Sequence, residues 1–185
     1  GEEERAVAIA RRLQAIVPGN SVSLVTLVSF GRYEEAIDFA EADWPALACQ
    51  AEPDVQRINI FQAMNLSLAY ERTEQHACSD ALLAAILERL TGEPGLSARA
   101  FGFLDVEVYA RQGRYEQALA TLRASVDSGM RAQWMTQVEQ SPHMDEELEL
   151  PEFRVIQKEV LADLARQLAV VLEMEARGEL AALSP

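Results

Sequence analysis

Glycine and proline are scarce, 9 and 7 of 185 residues, and only 6% of the chain is aromatic. These few breakers sit between apolar-periodic stretches, as punctuation. No convincing period-two alternation occurs, which leaves β-structure marginal. No apolar run approaches the length of a membrane span. Lysine and arginine are outnumbered by acids, giving a net charge of −14. A field of that sign repels phosphate backbones and anionic membranes, so nucleic acid and membrane are set aside as partners, and a basic protein or peptide is favoured.

The reactive residue types are equally thin. There are two histidines, His76 and His143, and two cysteines, Cys49 and Cys78. The cysteines lack metal-ligand spacing and read as small buried apolar groups in a reducing, cytoplasmic setting. Catalysis needs a nucleophile beside a base, or clustered ligands. His76 and Cys78 lie two apart, which on a helix turns them to different faces, so even with Cys49 they make no recognisable metal set. The acidic stretch Asp145-Glu146-Glu147 with Glu149 lacks the alternating oxygens and glycine of a calcium loop. The expectation is a chain without catalytic residues, metal or cofactor, and not an enzyme.

What is present is helix-forming. Alanine and leucine dominate, with glutamate, arginine and glutamine between them. Ala6, Ile9, Ala10, Leu13 and Val17 give a first helix one apolar face, and Pro18-Gly19-Asn20 ends it. A helix is expected from Pro53-Asp54 to about Arg72, another over about Cys78 to Leu90, and Thr91-Gly92-Glu93-Pro94-Gly95 as a loop. A third hairpin pairs about Ser97–Gln112 with Arg114–Ser128, and a short helix from about Arg131 to Glu139 follows. A long helix from about Glu152 to Arg177 carries Phe153, Ile156, Val160, Leu164, Leu168, Val171 and Leu172.

One motif recurs. Phe30-Gly31-Arg32-Tyr33-Glu34-Glu35-Ala36-Ile37 returns 82 residues later as Gln112-Gly113-Arg114-Tyr115-Glu116-Gln117-Ala118-Leu119. Glycine suits the tight turn between antiparallel helices. A small alanine lets two helices approach closely, and tyrosine fills the wedge between neighbouring hairpins.

With Leu27 and Tyr109 four residues before the glycines, these residues resemble the tetratricopeptide repeat (TPR) family. The resemblance covers about residues 2–129. It implies an all-α, right-handed α-α superhelix: a solenoid of helical hairpins with a long C-terminal capping helix. A half repeat spans 2–17, hairpins span 20–44, 53–91 and 96–129, and the cap spans 131–178. The opening half repeat implies a fragment of a longer protein. The middle hairpin departs from the pattern: Tyr70-Glu71-Arg72-Thr73 resembles Tyr109-Ala110-Arg111-Gln112, but no Gly or Tyr follows, and Ala77 or Ala81 stands in for the small residue. Ala77 is 41 residues from both Ala36 and Ala118, against about 34 for the family.

Trp134, Pro142 and Leu150-Pro151-Glu152-Phe153 are similar to the segment closing such regions in bacterial signalling and transcription-regulator proteins. The resemblance implies a non-catalytic protein-interaction module of a bacterial regulator. Its concave face would be lined by Asn59, Gln62, Asn65, Tyr70, Glu107, Tyr109 and Arg111, with Gly31, Tyr33, Ala36, Gly113, Tyr115 and Ala118 structural. A ligand-sensing domain is the alternative, favoured by a pocket of Phe61, Tyr70 and Phe103. The amphipathic last helix raises a homodimer as a further possibility.

Overall fold

Scarce breakers and abundant alanine and leucine leave helix as the regular secondary structure among the described residues. A computed structural model describes residues 1–17, 19–49, 52–92, 103–131, 134–139, 141, 143, 144 and 149–179. Among these are eight α-helices and no strand: α1 (Glu2–Ile16), α2 (Ser21–Ser29), α3 (Tyr33–Asp43), α4 (Ile60–Arg72), α5 (His76–Gly92), α6 (Leu104–Arg111), α7 (Tyr115–Asp127) and α8 (Pro151–Ala176). Pro18, residues 93–102, Pro142 and Asp145-Glu146-Glu147, which bear on expectations above, lie outside the described residues.

The helices pack in chain order. α2 and α3, α4 and α5, and α6 and α7 form hairpins; α3 lies against α4, α5 against α6 and α7 against α8. α1 packs on α2, where the buried Ser23 hydroxyl donates to the Ala10 carbonyl (2.8 Å). Asn20 caps α2 by accepting from the Ser23 amide (3.0 Å).

Several sequence boundaries move. Residues 52–56 are non-helical, so α4 starts at Ile60 rather than at Pro53-Asp54, and Ile58 is 85% exposed. Asn59 explains the delay: its amide side chain accepts from the Gln56 amide and donates to the Asp54 carbonyl, closing a turn that competes with helix. α5 runs through Gly92, so Thr91-Gly92 is helical. The segment after α7 is a π-helical turn, Met135–Glu139. In α1 the core side is Val7 and Ala10, while Ile9 and Val17 face outward.

The turns agree closely. The Arg32 amide donates to the Leu27 carbonyl (2.9 Å), and the Arg114 amide to the Tyr109 carbonyl (2.9 Å); Gly31 and Gly113 both sit at φ +68°. The middle hairpin turns the same way: the Gln75 amide donates to the Tyr70 carbonyl (2.8 Å), and Glu74 takes the glycine place at φ +63°. The small residue of that hairpin is therefore Ser79, 2% exposed, alongside Ala36 (0%) and Ala118 (1%). Neither Ala77 nor Ala81 fills the position. The true spacings are 43 and 39 residues, which straddle the apparent 41.

Two cores share one short helix. Leu104 and Val108 of α6 join the core built by α1–α5, and Val106 and Ala110 join a second core with α7, Trp134, Val138, Met144 and α8. Trp134 stacks on Phe153 (6.2 Å between centroids) and meets Phe103 edge-on (5.8 Å). This seats the first turns of α8.

The left-handed turns predict opposite responses. A non-glycine residue there costs roughly 1–2 kcal/mol, part of which glycine returns as unfolded-chain entropy. Glu74→Gly should raise stability by up to about 1 kcal/mol, and Gly113→Ala should lower it by about as much. Denaturant unfolding followed by circular dichroism measures both, and a loss of stability in Glu74→Gly would contradict the turn assignment.

Candidate functional site

The seven residues expected on a partner-binding face divide between interior and surface. Tyr70 is fully buried; its hydroxyl donates to Glu41 (2.9 Å) and accepts from the Cys49 amide (3.1 Å). Burial, with the Glu41 bond, pushes its hydroxyl up to about 12. Arg111 has a side chain 5% exposed. Its guanidinium donates to Glu71 from Nε (3.0 Å) and Nη2, to Ser67 Oγ (2.5 Å) and Ser79 Oγ (3.1 Å), and to the Met64 carbonyl (3.4 Å). It is a buried clamp from α6 onto α4 and α5. Ser79 occupies the small-residue position and supplies an acceptor there, which alanine lacks.

Glu107, one turn before Arg111, is also buried and accepts from the Ser141 hydroxyl (2.7 Å). Ser141 in turn accepts from the His143 amide (3.3 Å). Burial holds Glu107 up at about 7, against the pull of Ser141 and Arg111. Burial pushes His143 down to about 3, helped by the positive charges of Arg111 and Arg72. His143 is thus a neutral, enclosed imidazole. No sequence pattern marked this cluster, because its members come from α6 and from the chain beyond α7.

The other expected residues remain near solvent. Gln62 and Asn65 are half-buried on α4, with Asn65 donating back to the Phe61 carbonyl (2.8 Å). Tyr109 is half-buried, with Arg114 4.5 Å above its ring. Asn59 serves the turn before α4. Phe61 is 41% exposed, whereas Tyr70 and Phe103 belong to different cores, so the three do not form one enclosed lining. Tyr33 and Tyr115 are half-buried, and Tyr33 packs on the first core.

The open surface lies on adjacent helices. α2 packs beside α4 and leaves Val22 and Val25 exposed, while α4 leaves Phe61 with Gln62 and Asn65. A concavity of about 340 Å³ is lined by Pro53, Asp54, Val55, Ala85, Glu88, Arg89 and Gly92. No protein-family model matches the chain, and neither a curated protein nor a solved structure matches it.

The cysteine expectation needs correction. Cys49 and Cys78 are joined as a disulfide, Cα–Cα 5.1 Å, and Cys49 is exposed. The 3-10 turn Pro45–Leu47 and the Tyr70–Cys49 bond bring the chain after α3 beside the start of α5. The sequence argument for a reducing compartment therefore falls away. The pair is also unavailable to the His76 metal set, and no group of three candidate ligands occurs among the described residues. No helix among them is long and apolar enough to cross a membrane.

Two measurements follow. Glu107 binds its proton more tightly folded than unfolded, so its contribution to stability is fullest below about pH 4.5 and is lost as pH climbs toward 7. His143 acts oppositely: its contribution is present above pH 6.5 and is lost as pH falls toward 3. Glu107→Gln keeps an acceptor for Ser141 and removes only the first effect. Its stability relative to wild type should rise from pH 4.5 to 7 and then level, by on the order of 1–3 kcal/mol; a difference that is flat with pH would contradict this. Separately, the denatured chain should show no free thiol until reduced. Reduction, or Cys49→Ser, should cost about 2–4 kcal/mol in urea unfolding.

Proposed function

We propose that this chain is a non-catalytic protein-interaction module: a TPR-like, right-handed stack of helical hairpins within a larger bacterial regulatory protein. The observation that carries this reading is the threefold turn geometry at Gly31, Glu74 and Gly113, with each hairpin's second helix against the next hairpin's first. Such a stack holds the first helices side by side as a rigid platform. Val22, Val25 and Phe61 supply apolar contact there, and Asn65 supplies hydrogen bonding. An extended peptide or a partner helix fits a surface of that kind. The charge of −14 favours a basic partner and a faster encounter with it.

A ligand-sensing role is the second reading, supported by the concavity at Pro53, Val55 and Arg89. It lies where the disulfide-tethered segment meets the end of α5.

Affinity capture with the chain as bait, read by mass spectrometry, separates the two. The interaction reading expects a discrete protein retained by wild type and reduced at least tenfold by Val25→Glu with Phe61→Glu, at unchanged helicity. Finding no such protein, together with a tight small molecule in native mass spectra, would reverse the order.

A further inference from the structure

The two halves of α8 differ in what covers them. Phe153, Ile156 and Val160 are buried in the second core. Beyond them Leu161 (40%), Leu168 (59%), Val171 (46%) and Leu172 (54%) stand in solvent, and Leu164 is only partly covered. At 3.6 residues per turn, Leu161, Leu164, Ala165, Leu168, Val171 and Leu172 occupy one arc of about 120°. Glu159, Asp163, Arg166, Val170 and Glu173 lie across from it. The spacing 161, 164, 168, 171 is that of a coiled-coil seam.

Charge selects the occupant. Between Lys158 and Arg177, three bases stand against four acids, a net −1 in a chain of −14. The acidity that would draw a basic partner lies elsewhere, and a second copy meets little repulsion here. On the seam side the charges are sparse. Lys158, the chain's one lysine, flanks the near end of the seam, and Glu175 lies on it at the far end. Neither makes an ion pair among the described residues. A two-fold axis between Leu164 and Leu168 would set Leu161 against Val171 of the second copy and bring Lys158 level with that copy's Glu175. A parallel pair would instead oppose like charges.

We propose that the distal half of α8 pairs antiparallel with the same segment of a second copy, forming a homodimer through a surface separate from the α2–α4 platform. About 16 overlapping residues span about 24 Å. Two copies hide on the order of 1,000–1,200 Å² in all, the low end for specific association and the size of a reversible contact.

The lone lysine makes the arrangement testable. Within one chain Lys158 and Glu175 lie about 26 Å apart along the helix, too far for zero-length carbodiimide coupling. Coupling should give a covalent dimer whose cross-linked peptide joins Lys158 to Glu175. Sedimentation equilibrium from about 1 to about 300 µM should show a monomer–dimer equilibrium, weakened at least tenfold by Leu168→Glu. Lys158→Glu leaves the apolar face intact and should weaken the dimer too. Mixing it with the Glu175→Lys variant should restore association. A chain monomeric throughout, a dimer indifferent to Leu168→Glu, or coupling that excludes Lys158 would overturn the proposal. So would a monomer whose seam binds only an unrelated helix.

Discussion

Arg111 is the interaction on which the stack most depends. A guanidinium taken from water demands partners for its fork of donors, and here they come from α4 and α5: Glu71, Ser67, Ser79 and the Met64 carbonyl. The gain over an apolar packing is modest, but loss of one partner leaves a charge stranded, at a cost of about 3–5 kcal/mol. That asymmetry makes the clamp a determinant of position. α6 cannot slide or rotate on α4 without breaking it.

α6 has only eight residues, yet it walls both cores. Leu104 and Val108 face one way and Val106 and Ala110 the other, with Arg111 tied to the α4–α5 hairpin and Glu107 tied to Ser141. Polar groups four residues apart thus register the C-terminal core against the N-terminal one. The aromatic stack of Phe103, Trp134 and Phe153 then fixes where α8 begins, and so where its uncovered half projects.

Helical character, the two glycine turns and the long last helix were legible because each leaves a local signature: breaker spacing, left-handed glycine and apolar periodicity. The middle turn was hidden because Glu74 adopts the glycine conformation and Ser79 replaces alanine. Both substitutions are tolerated locally, and Ser79 is useful only once Arg111 arrives from α6. The late start of α4 was hidden by a side-chain turn at Asn59 that outweighs helix propensity. Tyr70, Glu107 and Arg111 read as polar face residues, since a sequence period locates a face but not what will cover it.

By itself the sequence determined that this chain is helical, where two of its tight turns fall, and that its last helix is long and amphipathic. These follow from interactions within a few residues. Tertiary structure alone decided that Cys49 meets Cys78, that Arg111 and Glu107 are interior, and that the same apolar stripe is buried at Phe153 and bare at Leu168. Each of those depends on groups far apart in the chain, and only packing brings them within bonding distance.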